Sequence, residues 1–487
     1  MNGARMGALT IVSLAALLTI IPRTQLSGLQ AAGGNSHLGL LITDIHLDPV
    51  TVNPSNPNFS ESQAIQLLES TQNIDDWPAQ LAKFQKNIAR PKQHPAVDAN
   101  YPLVDAALKN AADKTVVEGS FDYVIFTGDM LRHDFPRSGA QERKLAQKAA
   151  AFVVRQLNSR FNVPVFVALG NNDADNCDYG ITPADNNKPN EFLDAVADEM
   201  TILKGNTQAN DDFRKGGYCV LPHPTVANQD IIVLNSVFWS NSYLSYCDGP
   251  YTAAPGLAEM SWLDEKLSDA AKNHRGVTLV MHVPPGVDPH NSQPGSEDSL
   301  FWCDKARPNN PRHPCTGAPG FNTSFAALMA KYSKIIPVAF AGHSHMDDFR
   351  SFEEAAGVPE VPWRIGLAVS PVFGNNPGFS TFSYDPKTAA ISDMSTFTAA
   401  PGSATFTHEY GFDDAYDVKG FSAANLDAVN AVLRTCTTNC ADIVTFEEHY
   451  KPGNYKPGSP WSSSDLKNVA CSQRYIAAGD VSTCISK

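Results

Sequence analysis

Residues 121–134 read FDYVIFTGDMLRHD, an apolar run that ends in a Gly-Asp pair and leaves a carboxylate, an arginine and a histidine just beyond it. Tyr123 to Phe126 have the composition of a buried strand, which has no use for charge. Asp129, following Gly128, therefore belongs where the chain leaves the sheet, at the carboxyl edge where open α/β sheets bind ligands. A strand followed by Gly-Asp is by itself also the signature of a turn with a capping Asp. Four other stretches decide between the two readings.

Leu38–Thr43 is a short apolar run that hands over to Asp44-Ile45-His46, and residues i and i+2 of such a segment can point the same way and share one cation. Val163–Ala168 ends in Gly170-Asn171-Asn172-Asp173, Val277–Met281 in His282-Val283-Pro284-Pro285-Gly286, and Ile335–Ala341 in Gly342-His343-Ser344-His345. A further strand, Ile231–Leu234, leads into Asn235 and Ser236. Helical periodicity over Tyr101–Val117, Gln141–Asn158 and Leu257–Ala271 separates these runs. The alternation predicts an α/β fold with a largely parallel sheet covered by helices. Residues 49–100, rich in Pro, Asn and Gln, predict a long excursion over the surface that could form a lip of the site.

Five strands thus present Asp44 and His46, Asp129, Asn171, His282, and His343 and His345 at one rim. Carboxylate oxygen and imidazole nitrogen together suit two divalent ions, Zn first and Mn or Fe as alternatives, and a carboxylate is the group that bridges two of them easily. Asp129 is that carboxylate. Taken singly, each histidine reads as a structural residue; the coincidence at five strand ends sets that reading aside.

The chain has 487 residues with 43% hydrophobic content, enough for one large core or two domains and too apolar for a disordered chain. Its net charge of −14, with no basic run, disfavours a broad nucleic-acid surface. Arg5, the apolar stretch Ala8–Ile21 and the small residues Ser27, Gly28, Ala31 and Ala32 read as a signal peptide over residues 1–32, with an uncleaved anchor as the alternative. No later segment resembles a membrane span. Nine cysteines, none before Cys177, fit an oxidising compartment with one left over, and the sequons at Asn58 and Asn322 agree with a secreted or lumenal glycoprotein, whether extracellular, lysosomal, vacuolar or periplasmic.

In this order, Asp44-x-His46, Gly128-Asp129, Gly170-Asn171, His282 and Gly342-His343-x-His345 resemble the calcineurin-like metallophosphoesterases over roughly Leu38 to Phe382. The resemblance implies two mixed β-sheets sandwiched between helices. It implies one metal held by Asp44, His46, Asp129 and His345, and the other by Asp129, Asn171, His282 and His343. Gly128 to Asp134 and His282 to Gly286 look like the acid sphingomyelinase-like phosphodiesterases and the related endopolyphosphatases. By the same resemblance Cys436 pairs with Cys440 and Cys471 with Cys484, closing a helical tail, so that residues 38–400 form the catalytic domain and 401–487 a disulfide-bonded subdomain. The pairing of Cys177, Cys219, Cys247, Cys303 and Cys315 stays open.

Many relatives have a histidine where this chain has Asn172, a form similar to that of endopolyphosphatases. Asparagine cannot donate a proton as an acid, so His133 becomes the general acid and Asn172 orients substrate or solvent. Arg132 is the candidate phosphate contact, with a surface pair of Arg132 and Asp134 as the bland alternative, and Asp347 or Asp348 is a candidate to hold the second nitrogen of a ligand histidine. No cysteine-rich lipid-binding segment precedes the strands. A soluble phosphodiester, nucleotide or phosphoanhydride is thus at least as good a substrate as a lipid headgroup, with polyphosphate the alternative. A non-catalytic binding protein on the same scaffold is a second class of reading, but it would lose ligands first, and all seven are present.

Overall fold

The structure, a computed structural model, describes residues 37–86, 88, 97–135, 139–185, 188–243, 252–304, 320–353, 361–435, 441–453 and 461–487. Its strands are β1 (Leu38–Ile42), β2 (Leu47–Asp48), β3 (Ala99–Asn100), β4 (Tyr123–Phe126), β5 (Val165–Val167), β6 (Cys219–Pro222), β7 (Gln229–Val233), β8 (Gly276–Val280), β9 (Ala339–Ala341), β10 (Asp348–Arg350), β11 (Trp363–Ile365), β12 (Gly378–Tyr384), β13 (Ile391–Ala399) and β14 (Phe406–Gly411). Two six-stranded mixed sheets result, in the orders β14-β13-β12-β1-β4-β5 and β10-β11-β9-β8-β7-β6. The expected pair of sheets is therefore present.

Within the first sheet β1, β4 and β5 are parallel, with Ile42 opposite Phe126 and Phe126 opposite Val167. In the second, β7, β8, β9 and β11 are parallel. Parallel strands covered on both faces are apolar throughout, and Val124, Ile125 and Phe126 are wholly buried, each worth roughly 1.5–3 kcal/mol. The sheets pack face to face, the ring of Phe340 on β9 lying 5.0 Å from that of Phe382 on β12. Phe382 lies over Gly39, where a Cβ would fall 2.2 Å from the ring.

The helices Tyr101–Ala112 and Ala140–Phe161 pack on the first sheet, and Ala254–Lys272 on the second. The first ends five residues sooner than its periodicity predicts, because the Asp113 carboxylate accepts from Thr115 N and its hydroxyl, both at 2.8 Å, and turns the chain. Residues 49–100 depart from expectation as well: they contain the helices Glu61–Ser70 and Trp77–Gln85, whose Ala64, Leu68, Trp77, Leu81 and Phe84 are buried. The sixth predicted strand shortens to Ala339–Ala341, since Pro337 has no N–H to give to a ladder.

The first sheet continues past residue 400, β14 pairing with β13, so the helical tail begins after Gly411. The tail docks on the segment that follows His343 and His345. Asp347 N donates to Tyr450 O (2.9 Å), Ser351 N to Gln473 O (3.0 Å), and Gln473 Nε2 to Asp348 Oδ1 (2.6 Å). Cys471 and Cys484 are joined as expected, whereas Cys436 and Cys440 lie outside the described residues. Cys177 and Cys303 are each in a disulfide, and Cys219 is free and buried. Of the two sequons, Asn58 is exposed, but Asn322 is buried, its amide donating to Trp302 O (3.1 Å) and accepting from Gly286 N (3.0 Å), which leaves no space for a glycan there.

Glu259, on the helix Ala254–Lys272, is wholly buried and accepts from Asn235 N at 2.7 Å at the end of β7. Burial pushes its carboxyl up to about 8 from the ordinary 4.5, against the opposing pull of that hydrogen bond. The folded chain then keeps a proton that the unfolded chain releases, so this residue makes stability fall as pH rises from about 4.5 to about 8. Glu259→Gln is expected to flatten that part of the stability curve; urea titrations across the range that show the same slope in both proteins would contradict it.

Candidate metal centre

The pairing of β1 with β4 continues beyond the strands. Asp44 N donates to Gly128 O (3.0 Å), His46 N to Asp129 O (2.9 Å) and Leu47 N to Met130 O (2.8 Å), so two loops run side by side out of the sheet. In the second sheet the loops after β8 and β9 are joined in the same way, Gly342 N donating to His282 O (2.9 Å), and the two sheets are tied by His343 N donating to the Asp44 carboxylate (3.1 and 3.2 Å). Gly128 has φ +101°, and a Cβ there would lie 2.5 Å from Gly170 N; a Cβ on Gly170 would lie 2.0 Å from Asp129 Oδ1. The two loops can touch only without those carbons.

Asp44, His46, Asp129, His343 and His345 all sit in the left-handed region, with φ of 47°, 43°, 59°, 74° and 63°. For a residue with a side chain this costs roughly 1–2 kcal/mol. Strain of this kind persists where surrounding bonds over-determine the backbone, which the ladder between the loops does here. Asp173, which the sequence reading did not single out, reinforces it: its buried carboxylate accepts from Asp129 N (2.9 Å), Met130 N (2.8 Å) and Gly170 N (2.8 Å).

All seven predicted ligands converge. Asp129 is at the centre, its Oδ2 lying 3.3 Å from His46 Nε2 and 3.2 Å from His282 Nε2. On one side Asp44 Oδ1 is 3.3 Å from His345 Nε2, and the Nε2 atoms of His46 and His345 are 3.0 Å apart. On the other, Asn171 Oδ1 is 2.8 Å from His343 Nδ1 and 3.1 Å from His282 Nε2. Asp178 fixes the Asn171 amide by accepting from Nδ2 at 2.8 Å, which turns the oxygen toward the histidines.

Backbone carbonyls set the imidazole tautomers. His46 Nδ1 donates to Leu131 O (2.9 Å) and His282 Nδ1 to Thr127 O (2.8 Å). In a neutral ring the lone pair is then on Nε2, facing carboxylate oxygen, an arrangement that needs a cation between the two. The residues fit metal ions on that ground. Asp44, His46 and Asp129 form one cluster and Asp129, His282 and His343 another, the ligand atoms in each within 4.8 Å of one another. Sharing Asp129, they make a dinuclear divalent-metal site.

The remaining predicted residues divide. His133 stacks on His46, ring centroids 4.2 Å apart, and its Nδ1 lies 3.1 Å from Asp98 Oδ1, a partner hidden in the excursion before β3. Asn172 faces the bridge instead of open space: its backbone N donates to Asp129 Oδ1 (2.8 Å) and its amide to Oδ2 (3.1 Å). The Arg132 guanidinium donates to Asp48 (3.0 Å) and Glu61 (3.2 Å), so the carboxylates it pairs with are these rather than Asp134. Asp347 and Asp348 do not orient histidines either. Asp347 is paired with Arg364 and accepts from Thr396 Oγ1 (2.7 Å) and Tyr410 OH (2.9 Å), while Asp348 faces Arg350 and Gln473.

Residues 40–347 match the family model described as calcineurin-like phosphoesterase, and the chain belongs to that family. The site accordingly has the architecture of a metal-dependent phosphoesterase. Among its relatives are the acid sphingomyelinase-like phosphodiesterase 3b of Homo sapiens, 26% identical over 80% of each chain, and the sphingomyelinase phosphodiesterase D of Dictyostelium discoideum, 24% identical over 73% of this chain and 74% of that one. The human cyclic GMP-AMP phosphodiesterase SMPDL3A is 24% identical over 79% and 76%. A dimetal phosphatase structure from Danio rerio aligns over 77% of this chain and 100% of its own, with 12% identity and a TM-score of 0.36.

Burial disfavours the charged form of the imidazoles of His46, His282, His343 and His345. In His46 it is overcome by Asp129 and Asp44, which raise the ring to about 10, and in His282 chiefly by Asp129, to about 9. Burial prevails in His343 and His345, both pushed down to about 3. The metal-free protein therefore holds protons on His46 and His282 at pH 7, and metal ions bind only as those protons leave. Zinc binding is expected to release about two protons per chain at pH 7 and to strengthen as pH rises. Calorimetry in buffers of different ionisation enthalpy measures this, and identical heats in all of them would contradict it.

Proposed function

We propose that the chain is an exported phosphodiesterase of the sphingomyelinase-like kind, hydrolysing an organic phosphodiester. The observation that carries this reading is the pair of ligand clusters joined at one buried carboxylate, Asp129. The similarity to phosphodiesterases over about four-fifths of the chain supports the branch, and the Cys471–Cys484 disulfide supports an oxidising compartment. In this reading Asp44, His46, Asp129 and His345 hold one ion and Asp129, Asn171, His282 and His343 the other, with zinc the preferred metal for this donor set. Two such ions, when bound, polarise the phosphoryl group and activate the attacking water.

The chain's own residues supply position and a proton. Asn172 and Asp173 keep Asp129 and its loop in place through the hydrogen bonds given above. Asp98 holds His133 by Nδ1 and is itself held by the Ser370 hydroxyl at 3.0 Å. Burial raises the Asp98 carboxyl, but its bonds with His133 and the charge of His46 bring it down to about 2, so it stays an acceptor. His133 Nε2 is then the atom that protonates the departing oxygen.

The direct assay is hydrolysis of bis-p-nitrophenyl phosphate, sphingomyelin, ATP and polyphosphate by the zinc-loaded chain, with a chelator as control. Diester hydrolysis that the chelator abolishes is expected; turnover of polyphosphate alone would replace the reading with an endopolyphosphatase. Loss of a general acid costs about 10²–10⁴ in rate, less when the leaving group is already acidic. His133→Ala should therefore damage an alkoxide-leaving diester far more than a nitrophenyl one, with metal content unchanged. Equal slowing of both, or loss of metal, would remove His133 from this role.

A further inference from the structure

Phe373 is 48% exposed, the one aromatic among the large apolar side chains that stand exposed in the described residues. A single exposed apolar residue ordinarily needs no explanation. This one lies against the site. Its ring is edge-on to His345 at 4.6 Å and 78° and to His133 at 5.7 Å and 83°.

The backbone imposes that exposure. Gly374 N donates to Pro371 O at 2.8 Å, closing a turn with Phe373 in its third position, and Gly374 itself has φ +86°. The wholly buried Asn375 donates through its amide to Ser370 O and Asn376 O, both at 3.1 Å. Ser370 donates its N–H to Asp44 O (3.0 Å) and its hydroxyl to Asp98 (3.0 Å). The turn is thus fastened both to a ligand loop and to the carboxylate that holds His133, which keeps the ring beside both histidines. Across the site, His343 meets the partly exposed rings of Phe301 (5.2 Å) and Tyr179 (6.3 Å). The described guanidinium that sequence places nearest, Arg132, is occupied by Asp48 and Glu61.

We propose that Phe373 is the apolar wall of the leaving-group subsite and that the substrate carries a flat or apolar organic group on its leaving oxygen. The proposal rests on the preceding assignment of His133 to the leaving-group side. A ring face held in place binds another ring or an alkyl surface, commonly with a gain of about tenfold or more. A bare phosphate chain has no such surface and is recognised by cations.

The test uses the zinc-loaded full chain and two non-hydrolysable probes of equal charge, phenylphosphonate and methylphosphonate, with binding followed by calorimetry and by inhibition of bis-p-nitrophenyl phosphate hydrolysis. Phe373→Ala is expected to weaken phenylphosphonate about tenfold and methylphosphonate by less than about twofold, with two metals per chain retained and Phe373→Tyr restoring the difference. Equal weakening of both probes, no change in phenylphosphonate, or loss of metal would overturn the proposal, the last because Phe373 would then be packing support for His345. Wild-type protein that binds metal and phenylphosphonate but hydrolyses no diester would sink the phosphodiesterase reading instead, and the calorimetric comparison would still decide the part played by Phe373.

Discussion

A carboxylate with almost no solvent contact, Asp129, has two imidazole nitrogens facing the same oxygen. A buried charge must be compensated, and the tautomers set by Leu131 O and Thr127 O leave the histidine lone pairs to repel it unless a cation is present. Protons fill that role in the metal-free chain and divalent ions in the loaded one. Much of what is unusual in the fold serves this arrangement: the facing glycines Gly128 and Gly170, five of the predicted ligands in the left-handed region, and the carboxylate of Asp173 that ties two loops together.

The two sheets make the arrangement rigid in different ways. The first supplies Asp44, His46, Asp129 and Asn171 from adjacent parallel strands whose ladder extends into the loops, so a shift of one ligand would drag its neighbour. The second supplies His282, His343 and His345, and is locked at its far side by the docked tail through Asp347, Asp348 and Ser351. Arg364, buried between the sheets, pairs with Asp347 and donates to Ser380 and Thr396 on β12 and β13, both at 3.1 Å. Asp347 and Asp348, just after His345, thus act as anchors for the architecture.

The strand ends, and the meeting of the seven predicted ligand side chains at one rim, were legible in the sequence because apolar runs that stop at Gly-Asp, Gly-Asn or Gly-His mark the edge of a buried sheet without reference to distant residues. What was missed depends on distance in the chain or on atoms that carry no sequence signal. The second nitrogens of His46 and His282 go to backbone carbonyls, which no residue type announces. Arg132 is taken by Asp48, 84 residues away in sequence, and His133 by Asp98, 35 away. The helices before β3 were hidden by Pro, Asn and Gln at their margins, although Trp77, Leu81 and Phe84 carry a helical spacing. The continuation of the first sheet into β14 was obscured by the turn at Pro401-Gly402.

The central claim is that one carboxylate, Asp129, is shared by two metal ions. Anomalous diffraction from crystals of the zinc-loaded protein, collected on both sides of the zinc edge, tests it most directly. The account predicts two anomalous peaks, one beside Asp44, His46 and His345 and one beside Asn171, His282 and His343, each within bonding distance of an Asp129 oxygen. A single peak, or two peaks with Asp129 bonded to only one of them, would contradict it.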